Sequence, residues 1–361
     1  MKKGAPFLLL VLLLASGYFA YTKAQDFDKR LARIEHKLGG ERKIGCNEKD
    51  SIERVTKSVV RIVGGESEGS GFVINSSGAI LTNFHVIQFE PSPKVIFPDN
   101  SFETAEILLA DKDADIAVLH VKRKLPTLTW GVPYDLEPSE EVFAIGFPFG
   151  GSLSGEASVN KGSLAGRRYD KDYEVQYLQT DTTLNPGVSG GPMINICGEI
   201  VGMNTAGTSG LGLAISSDTL KEKWLNMLSS KDDVLKDITK FEFFPERSEY
   251  DAVQAFYNYL KARDLENAFG LVSKNFAPES FEDWKKGYDN SLDTTLIKIE
   301  VDKKVKEQIN IKLASKDVVE DEIVYKYYEG SWIVKEEDEK YRLWEADIKE
   351  VEDPTYAWFY E

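Results

Sequence analysis

Between residue 51 and about residue 229, the sequence consists of short apolar runs separated by glycine-containing turns. This pattern constrains the fold more than any other feature of the sequence. Short runs of this kind are typical of an antiparallel β-barrel or sandwich. One amphipathic helix pattern, "SSDTLKEKWLNML", closes the region. Because few helix patterns intervene, a parallel α/β sheet is disfavoured. The runs include "SVVRIVGG", "GSGFVINSSGAILTNFHVI", "KVIFPD", "DIAVLHV", "EVFAIGFPFG", "VQYLQT", "GEIVGMNT" and "GLGLAIS".

Length and charge narrow the class of protein. A chain of 361 residues with ordinary apolar content predicts two globular domains. The net charge is −16, and the sequence has no long cluster of Lys and Arg, which excludes a nucleic acid as the expected partner. Most of the negative charge lies beyond residue 240.

The N-terminus has the pattern of an export signal. Met1-Lys2-Lys3 is a positive head, and Ala5 to Tyr21 is an uncharged apolar run. Residues 1–24 are therefore either a signal peptide, cleaved at the small-x-small pattern Thr22-Lys23-Ala24, or a retained membrane anchor, which is the favoured interpretation. In both interpretations the rest of the chain is exported, because the positive head stays in the cytoplasm.

Residues 25–48 are predicted to form a helical stalk or linker. Four apolar residues spaced four and three apart give this segment one narrow stripe. A surface stalk is favoured over a short oligomerising coil, because the stripe covers less than two heptads. The stripe residues are Phe27, Leu31, Ile34 and Leu38.

The stretch "QTDTTLNPGVSGGPMIN" places Ser189 among glycines, which makes this serine a candidate nucleophile. A serine hydroxyl becomes a nucleophile only with a base in hydrogen-bond reach and a third group that orients the base. The chain has 3 histidines. His36 lies in the stalk and is interpreted as solvated. His120 lies within a strand pattern and is interpreted as a packing or edge residue. His85 ends a strand pattern, so it is the candidate base.

Asp115 is the candidate for the orienting carboxylate. It directly precedes the apolar strand "IAVLHV", where a buried carboxylate needs a hydrogen-bond donor such as an imidazole N–H. Asp111 and Asp113 are interpreted as solvated turn residues. The glycines on both sides of Ser189 let backbone N–H groups converge on one point, as an oxyanion hole requires.

These stretches resemble the trypsin-like serine proteases, specifically the HtrA/Deg branch. The resemblance covers about residues 51–229, with the blocks in the family's order and spacing. It implies a mainly β protease domain over residues 49–232, built of two six-stranded antiparallel β-barrels, and no metal or organic cofactor. The blocks are "GSGFVI", "LTNFHVI", "ADIAVLHV", "AIGFPFG", "QTDTTLNPGVSGGPMIN", "GEIVGMNT" and "GLGLAIS".

The family's site residues carry over to this sequence as an expectation. The resemblance implies a catalytic triad of His85 and Asp115 from the first barrel and Ser189 from the second, acting through an acyl-enzyme. It also implies that the backbone N–H groups of Gly187 and Ser189 bind the oxyanion.

The sequence departs from digestive trypsins immediately before the nucleophile. Val188 replaces the aspartate that pairs with a newly cut N-terminus, so order in the loop 183–188 must come from substrate, neighbouring loops or another subunit of a homo-oligomer. Arg167 lies in the segment that senses activators in the HtrA family, with a solvated loop arginine as the alternative.

The primary specificity pocket is expected to be apolar and moderate in size. Thr183 stands where trypsin has its acidic residue, so small or medium aliphatic side chains are expected in preference to Arg or Lys, with broad selectivity. The predicted walls are Leu184, Leu213 and the strand residues Asn204, Thr205 and Ala206.

Cys46 and Cys197 are the two cysteines of the chain. In an exported protein an even count suggests a disulfide, here between the end of the stalk and a turn of the second barrel. Two unpaired thiols are the alternative.

Residues 240–361 are predicted to form an α+β domain in place of the usual PDZ domains. Two amphipathic helix patterns are followed by alternating strand patterns, and the order resembles the nuclear transport factor 2-like superfamily, a cone of helices and a curved sheet. Such cones bind ligand or peptide, or dimerise; the aromatic residues are interpreted as core rather than pocket lining. These aromatics include Trp332, Trp344 and the tail "YAWFYE".

The sequence thus predicts an exported serine endopeptidase that hydrolyses protein or peptide substrates in quality control or regulated proteolysis at the cell envelope. Its expected place is the outer face of the cytoplasmic membrane, or the periplasm if the signal is cleaved. The alternative is a catalytically silent, membrane-tethered scaffold.

Overall fold

The computed structural model describes residues 46–64, 68–148, 155–208, 211–230, 234–276, 280–320, 322–352 and 354–356. Asn47–Glu361 form one compact unit. The predicted signal or anchor and almost all of the predicted stalk lie outside the described residues. Within the described residues, no helix is long and apolar enough to cross a membrane.

The first half of the protease region is a seven-stranded antiparallel sheet in the order β5-β4-β1-β2-β3-β7-β6. Its interior is filled by β-branched and aromatic side chains such as Ile62, Ile80 and Phe84. The strands are β1 Val59–Val63, β2 Glu68–Val73, β3 Ala79–Thr82, β4 Lys94–Ile96, β5 Phe102–Thr104, β6 Glu106–Asp111 and β7 Ile116–His120.

The prediction of a closed six-stranded first barrel is wrong in strand number and closure. The strand between residues 102 and 111 breaks at Ala105, whose N–H still donates to Pro93 O next to β4 before the pairing changes to β7. The part before the break pairs with β4 and the part after it pairs with β7. Beyond the break, Ala110 N donates to Val234 O, so a segment after the barrels covers part of the β6 edge.

The second half is a closed six-stranded barrel, as predicted, in the order β10-β13-β12-β11-β8-β9. Between the two halves runs a shared core that includes Phe72, Phe143 and Ile215. The strands are β8 Glu141–Gly146, β9 Ser158–Asp170, β10 Val175–Thr180, β11 Pro192–Asn195, β12 Ile200–Thr208 and β13 Leu211–Ser216.

Three helices accompany the two sheets. Helix α1, Glu48–Thr56, precedes β1, and the four-residue helix α2, Phe84–Ile87, follows β3. Helix α3, Ser217–Ser229, matches the predicted closing helix and begins at Ser216, whose hydroxyl accepts from Thr219 N. A 3-10 turn, Pro133–Asp135, connects the two sheets.

The C-terminal region has its helices first and its sheet afterwards. The sheet is antiparallel in the order β14-β15-β16-β17. This order agrees with the α+β prediction, whereas the resemblance to the nuclear transport factor 2-like superfamily stays a prediction. The elements are α4 Glu249–Ala262, α5 Leu265–Gly270, α6 Phe281–Lys285, a 3-10 turn Lys286–Tyr288, β14 Ser291–Val301, β15 Gln308–Val319, β16 Glu322–Glu337 and β17 Lys340–Glu350.

Aromatic side chains fill the space between these helices and the sheet. Trp332 is 4% exposed, and its indole N–H donates to the Tyr257 hydroxyl at 2.9 Å. Phe256 packs edge-on against Trp332, with ring centroids 5.6 Å apart. Trp332 is therefore a core residue, as interpreted from the sequence, whereas Trp344 on β17 is half-buried.

Buried ion pairs join the C-terminal sheet to the first protease sheet. The Lys316 ammonium on β15 donates to Gly64 O at 2.7 Å and to the Glu68 carboxylate at 2.9 Å. Arg61 contacts the second oxygen of Glu68 at 2.7 Å. Burial by itself would raise the pKa of the Glu68 carboxyl, and the adjacent charges of Lys316 and Arg61 overcome this effect and hold the pKa below its ordinary value.

A second buried cluster lies a short distance along the same boundary. Lys261 on α4 contacts Glu90 at 2.8 Å and Asp293 at 2.6 Å, and both carboxylates are almost fully buried. The Lys94 ammonium on β4 donates to Lys261 O at 2.8 Å. Because these charges are shielded from water and paired, the two regions are docked through specific contacts.

Candidate active site

His85 and Asp115 form a hydrogen-bonded pair on the first sheet. His85 lies on α2, just after β3, and its Nδ1 is 2.9 Å from Asp115 Oδ2 and 3.0 Å from Oδ1. The backbone N–H of His85 also donates to Asp115 Oδ1 at 3.0 Å. The carboxylate therefore fixes both the ring and the start of the helix that carries it.

Asp115 has a left-handed backbone conformation and accepts hydrogen bonds from Asn83 and Thr205. Its backbone has φ +56°, a left-handed conformation that aspartate tolerates in turns. The Asn83 amide donates to Asp115 O at 2.9 Å, and the Thr205 hydroxyl donates to Asp115 Oδ2 at 2.6 Å. Thr205 belongs to β12, so this contact ties the second barrel to the pair on the first sheet.

Ser189 follows a tight turn over residues 185–188. Val188 N donates to Asn185 O at 3.1 Å, and Gly187 has φ +95°. Proline at the second position and a positive φ at the third define a type II turn. This turn explains why Pro186 and Gly187 precede the nucleophile candidate.

The turn leaves two backbone N–H groups beside Ser189 available. Within the described part of the chain, neither Gly187 N nor Ser189 N donates to an acceptor. Their neighbours are all engaged: Gly191 N donates to Val188 O at 3.1 Å, and Gly190 N donates to Asn204 O at 2.8 Å. Two uncommitted donors next to a serine are what an oxyanion hole requires.

The Ser189 hydroxyl is directed at the second barrel. It donates to Thr205 O at 3.1 Å, and no hydrogen bond joins it to His85 among the described residues. In sites without substrate, catalytic hydrogen bonds are often long or unformed and tighten in the complex. Thr205 therefore contacts both Ser189 and Asp115, through its carbonyl and its hydroxyl.

Val188 shows what replaces the ion pair of trypsin. Its side chain is fully buried. A Cβ at Gly146 would lie 2.9 Å from Val188 Cα, so glycine is needed for the close approach of β8. Packing within this chain, rather than a buried charge, holds the residue before Ser189.

The predicted pocket walls have separate roles in the structure. Asn204 is fully buried, and its amide donates to Ile145 O at 3.3 Å and Pro192 O at 3.2 Å, so its place as a pocket wall stays a prediction. Leu184 and Leu213 are half-buried. Leu184 lies against Gly207 and Gly212 of the β12–β13 pair, where a Cβ on either glycine would crowd it. The Ala206 side chain lies outside the described residues.

The remaining sequence candidates lie away from the pair. His120 Nε2 is 3.1 Å from Ser77 O at the far end of β7. Asp111 accepts from Ala114 N at 2.9 Å as a turn residue. Arg167 is not a solvated loop residue: it lies on β9, and its guanidinium donates to Pro133 O at 2.8 Å and to Leu136 O, because these carbonyls at the 3-10 turn have no strand partner.

Both cysteines are disulfide-bonded. Around Cys197, the Arg54 guanidinium of α1 donates to Cys197 O at 2.6 Å. Gly198 has φ +75°, and an added Cβ there would meet Arg54 and Ser51. The N-terminal helix of the compact unit is therefore packed directly on the turn that carries Cys197.

Residues 69–203 match the family model of the trypsin-like peptidase domain. Among curated proteins, the chain is 40% identical over 163 residues to "Serine protease HTRA1" of Xenopus tropicalis, covering 43% of this chain and 35% of that protein. It is 38% identical over 179 residues to "Probable periplasmic serine endoprotease DegP-like" of Ectopseudomonas mendocina (strain ymp), covering 46% and 37%. It is 39% identical over 167 residues to "Serine protease HTRA3" of Homo sapiens, covering 43% and 36%.

The aligned part spans well under half the length of these relatives. The family match, residues 69–203, lies within the two β assemblies and contains His85, Asp115 and Ser189. The resemblance predicted from the sequence blocks is thereby confirmed for this region, and the chain carries a trypsin-like peptidase domain of the HtrA/Deg type.

Proposed function

We propose that the whole chain is a serine endopeptidase that cleaves protein substrates. The observation that carries this proposal is that Thr205 contacts both Asp115, the partner of His85, and the Ser189 hydroxyl. Beside this hydroxyl lie two N–H groups that have no acceptor among the described residues. The relatives, named as serine proteases and endoproteases, support the same reaction class.

The proposed mechanism assigns one task to each group. The Ser189 hydroxyl rotates from Thr205 O toward His85 Nε2, which takes its proton as Oγ attacks the substrate carbonyl. Asp115 orients the ring and stabilises the imidazolium, while the N–H groups of Gly187 and Ser189 bind the oxyanion. His85 then returns the proton to the leaving amine, and water hydrolyses the acyl-enzyme through the same steps.

The proposal includes the shape of the substrate site. Leu184 and Leu213 offer an apolar surface, and Thr183 supplies no charge, so small or medium aliphatic side chains are favoured before the cleaved bond. Thr205, whose carbonyl accepts from the Ser189 hydroxyl, is the predicted wall residue in contact with that hydroxyl.

Export and assembly are part of the same proposal. The positive head and apolar run of residues 1–24 support export with a membrane anchor, and the relative named as periplasmic supports action at the cell envelope. A homo-oligomer and a role in quality control extend it. The C-terminal region is proposed to bind or assemble rather than catalyse, because its interior is packed with aromatic side chains.

Hydrolysis of an unfolded protein substrate tests the activity. We expect wild type to release peptides cleaved after aliphatic residues, and Ser189→Ala and His85→Ala to release none. Ser58→Ala is the control, because Ser58 lies outside the candidate triad and its buried hydroxyl has no hydrogen-bond partner among the described residues. Intact substrate with folded wild type would favour the silent scaffold instead.

A further inference from the structure

Ser70 contacts both sides of the candidate nucleophile from the opposite sheet. It lies on β2 and is fully buried. Its hydroxyl donates to Gly187 O at 2.7 Å, and its backbone N–H donates to Ser189 O at 2.8 Å. Its own carbonyl accepts from the Thr82 hydroxyl at 2.7 Å, which ties it to β3.

The direction of the Ser70 hydroxyl is determined by a third partner. Phe147 N donates to Ser70 Oγ at 2.9 Å. A hydroxyl has one proton to donate, and the N–H of Phe147 occupies an acceptor position. The proton is therefore available for Gly187 O, so the contact between them is a directed hydrogen bond.

The peptides held by Ser70 alternate with the peptides that supply the oxyanion donors. The peptide from Gly187 to Val188 is fixed at both ends, its carbonyl by the Ser70 hydroxyl and its N–H by Asn185 O. The peptide from Ser189 to Gly190 is likewise fixed, by Ser70 N and by Asn204 O. With both peptides fixed, the N–H groups of Gly187 and Ser189 remain without an acceptor among the described residues.

We propose that the Ser70 hydroxyl is a positioning group that holds the turn at residues 185–188 in the form that opens the oxyanion hole. This role deepens the proposed function and rests on it for its catalytic consequence. Ser70 acts together with the packing of Val188, which is buried and has no charge with which to form an ion pair. Gly187, with its positive φ, is the flexible residue that needs such a restraint.

Two variants test the proposal. Ser70→Ala removes the hydroxyl and keeps the backbone contacts, and Ser70→Cys keeps nearly the same volume with a much weaker donor. We expect kcat for a peptide substrate to fall about tenfold to hundredfold in Ser70→Ala and less in Ser70→Cys, with KM changed by no more than about twofold, since one oxyanion donor accounts for about 100- to 1,000-fold. Ser58→Ala, which changes a buried serine in the turn before β1, is expected to keep wild-type kcat.

A crystal structure of Ser70→Ala supplies a readout that does not depend on activity. We expect the peptide between Pro186 and Gly187 to flip or to occupy two orientations, with Gly187 N turned away from the site. The proposal is overturned if this turn is unchanged, or if kcat of Ser70→Ala and Ser70→Cys equals that of wild type. If the proposed protease function is wrong, wild type will not hydrolyse the substrate. The crystal structures of wild type and Ser70→Ala would still show whether Ser70 holds the turn.

Discussion

The Ser189 hydroxyl donates to Thr205 O at 3.1 Å, while the Thr205 hydroxyl donates to Asp115 at 2.6 Å. One residue of the second barrel therefore contacts both the nucleophile candidate and the carboxylate of the first sheet. The relative placement of the two halves of the site depends on this residue as well as on core packing.

Replacing Thr205 by valine removes the hydroxyl with little change in volume. We expect kcat to fall about tenfold to hundredfold, since a hydrogen bond to a charged group contributes about 1.5 to 3 kcal/mol. Steady-state kinetics with a peptide substrate measure the effect. Thr104→Val is the control, because the buried Thr104 hydroxyl has no hydrogen-bond partner among the described residues. Equal kcat in both variants would show that Thr205 does not support Asp115.

Gly190 is expected to tolerate no side chain. Its φ is +85°, and an added Cβ would collide with Ser70 O and the Thr82 hydroxyl. Gly190→Ala should therefore lose about 2 kcal/mol or more of the free energy of unfolding. Gly270→Ala, where an added Cβ meets no atom within 4 Å, is the control. Urea unfolding compares them, and similar values would contradict the crowded turn.

The docking of the C-terminal region depends on Lys316. Its side chain is 3% exposed, and removing its charge leaves Glu68 with the Arg61 ion pair and the Tyr325 hydroxyl at 3.4 Å. We expect Lys316→Met to lower the free energy of unfolding by about 2 kcal/mol. Lys312→Met, which breaks an exposed pair with Glu329 on the same sheet, should change it by no more than about 0.5 kcal/mol. Differential scanning calorimetry distinguishes the two, and equal shifts would argue against a docked interface.

The lowered pKa of Glu68 predicts how the free energy of unfolding changes at acidic pH. Its pKa in the folded chain is held below the ordinary 4.5, so the carboxylate contributes stability that is fully present above about pH 4.5 and is lost as the pH falls through the folded value. The stability difference between wild type and Glu68→Gln should therefore shrink between pH 7 and about pH 3. Denaturant titrations at both pH values measure it, and a constant difference would refute the assignment.

We expect Cys46 and Cys197 to be bonded to each other. The mass of the intact, unreduced chain should rise by two hydrogens on reduction, and a peptide containing both residues should disappear from the digest. Because Arg54 and Gly198 pack α1 on the Cys197 turn, Cys46→Ser should destabilise the chain. Free thiols in the exported protein would disprove the bridge.

The sequence predicts the β assemblies and the candidate triad because their chemistry is local and specific. His85, Asp115 and Ser189 each lie in a short block with the right flanking residues, and the structure places His85 beside Asp115. Ser70 carries no such signal, since a buried serine in a strand is common and its partners Phe147 and Gly187 are distant in sequence.

Other features depend on tertiary contacts that oppose ordinary preferences. Lys316 and Lys261 are charged residues, which are seldom buried, so their place between the sheets could not be predicted from composition. The position of Asn204 on the strand predicts a pocket wall, whereas its side-chain amide donates hydrogen bonds to two backbone carbonyls. The split strand at Ala105 likewise reflects where pairing changes partner, a property of the assembled sheet.

Labelling by a fluorophosphonate probe tests the central claim most directly, because the probe reacts only with a serine that is activated by a base. With the exported chain and a protein substrate present, the account predicts one labelled site, mapped by peptide mass to Ser189, in wild type. It predicts no labelling in Ser189→Ala or His85→Ala. Wild type that stays unlabelled while correctly folded, or that carries the label on another serine, would contradict the account.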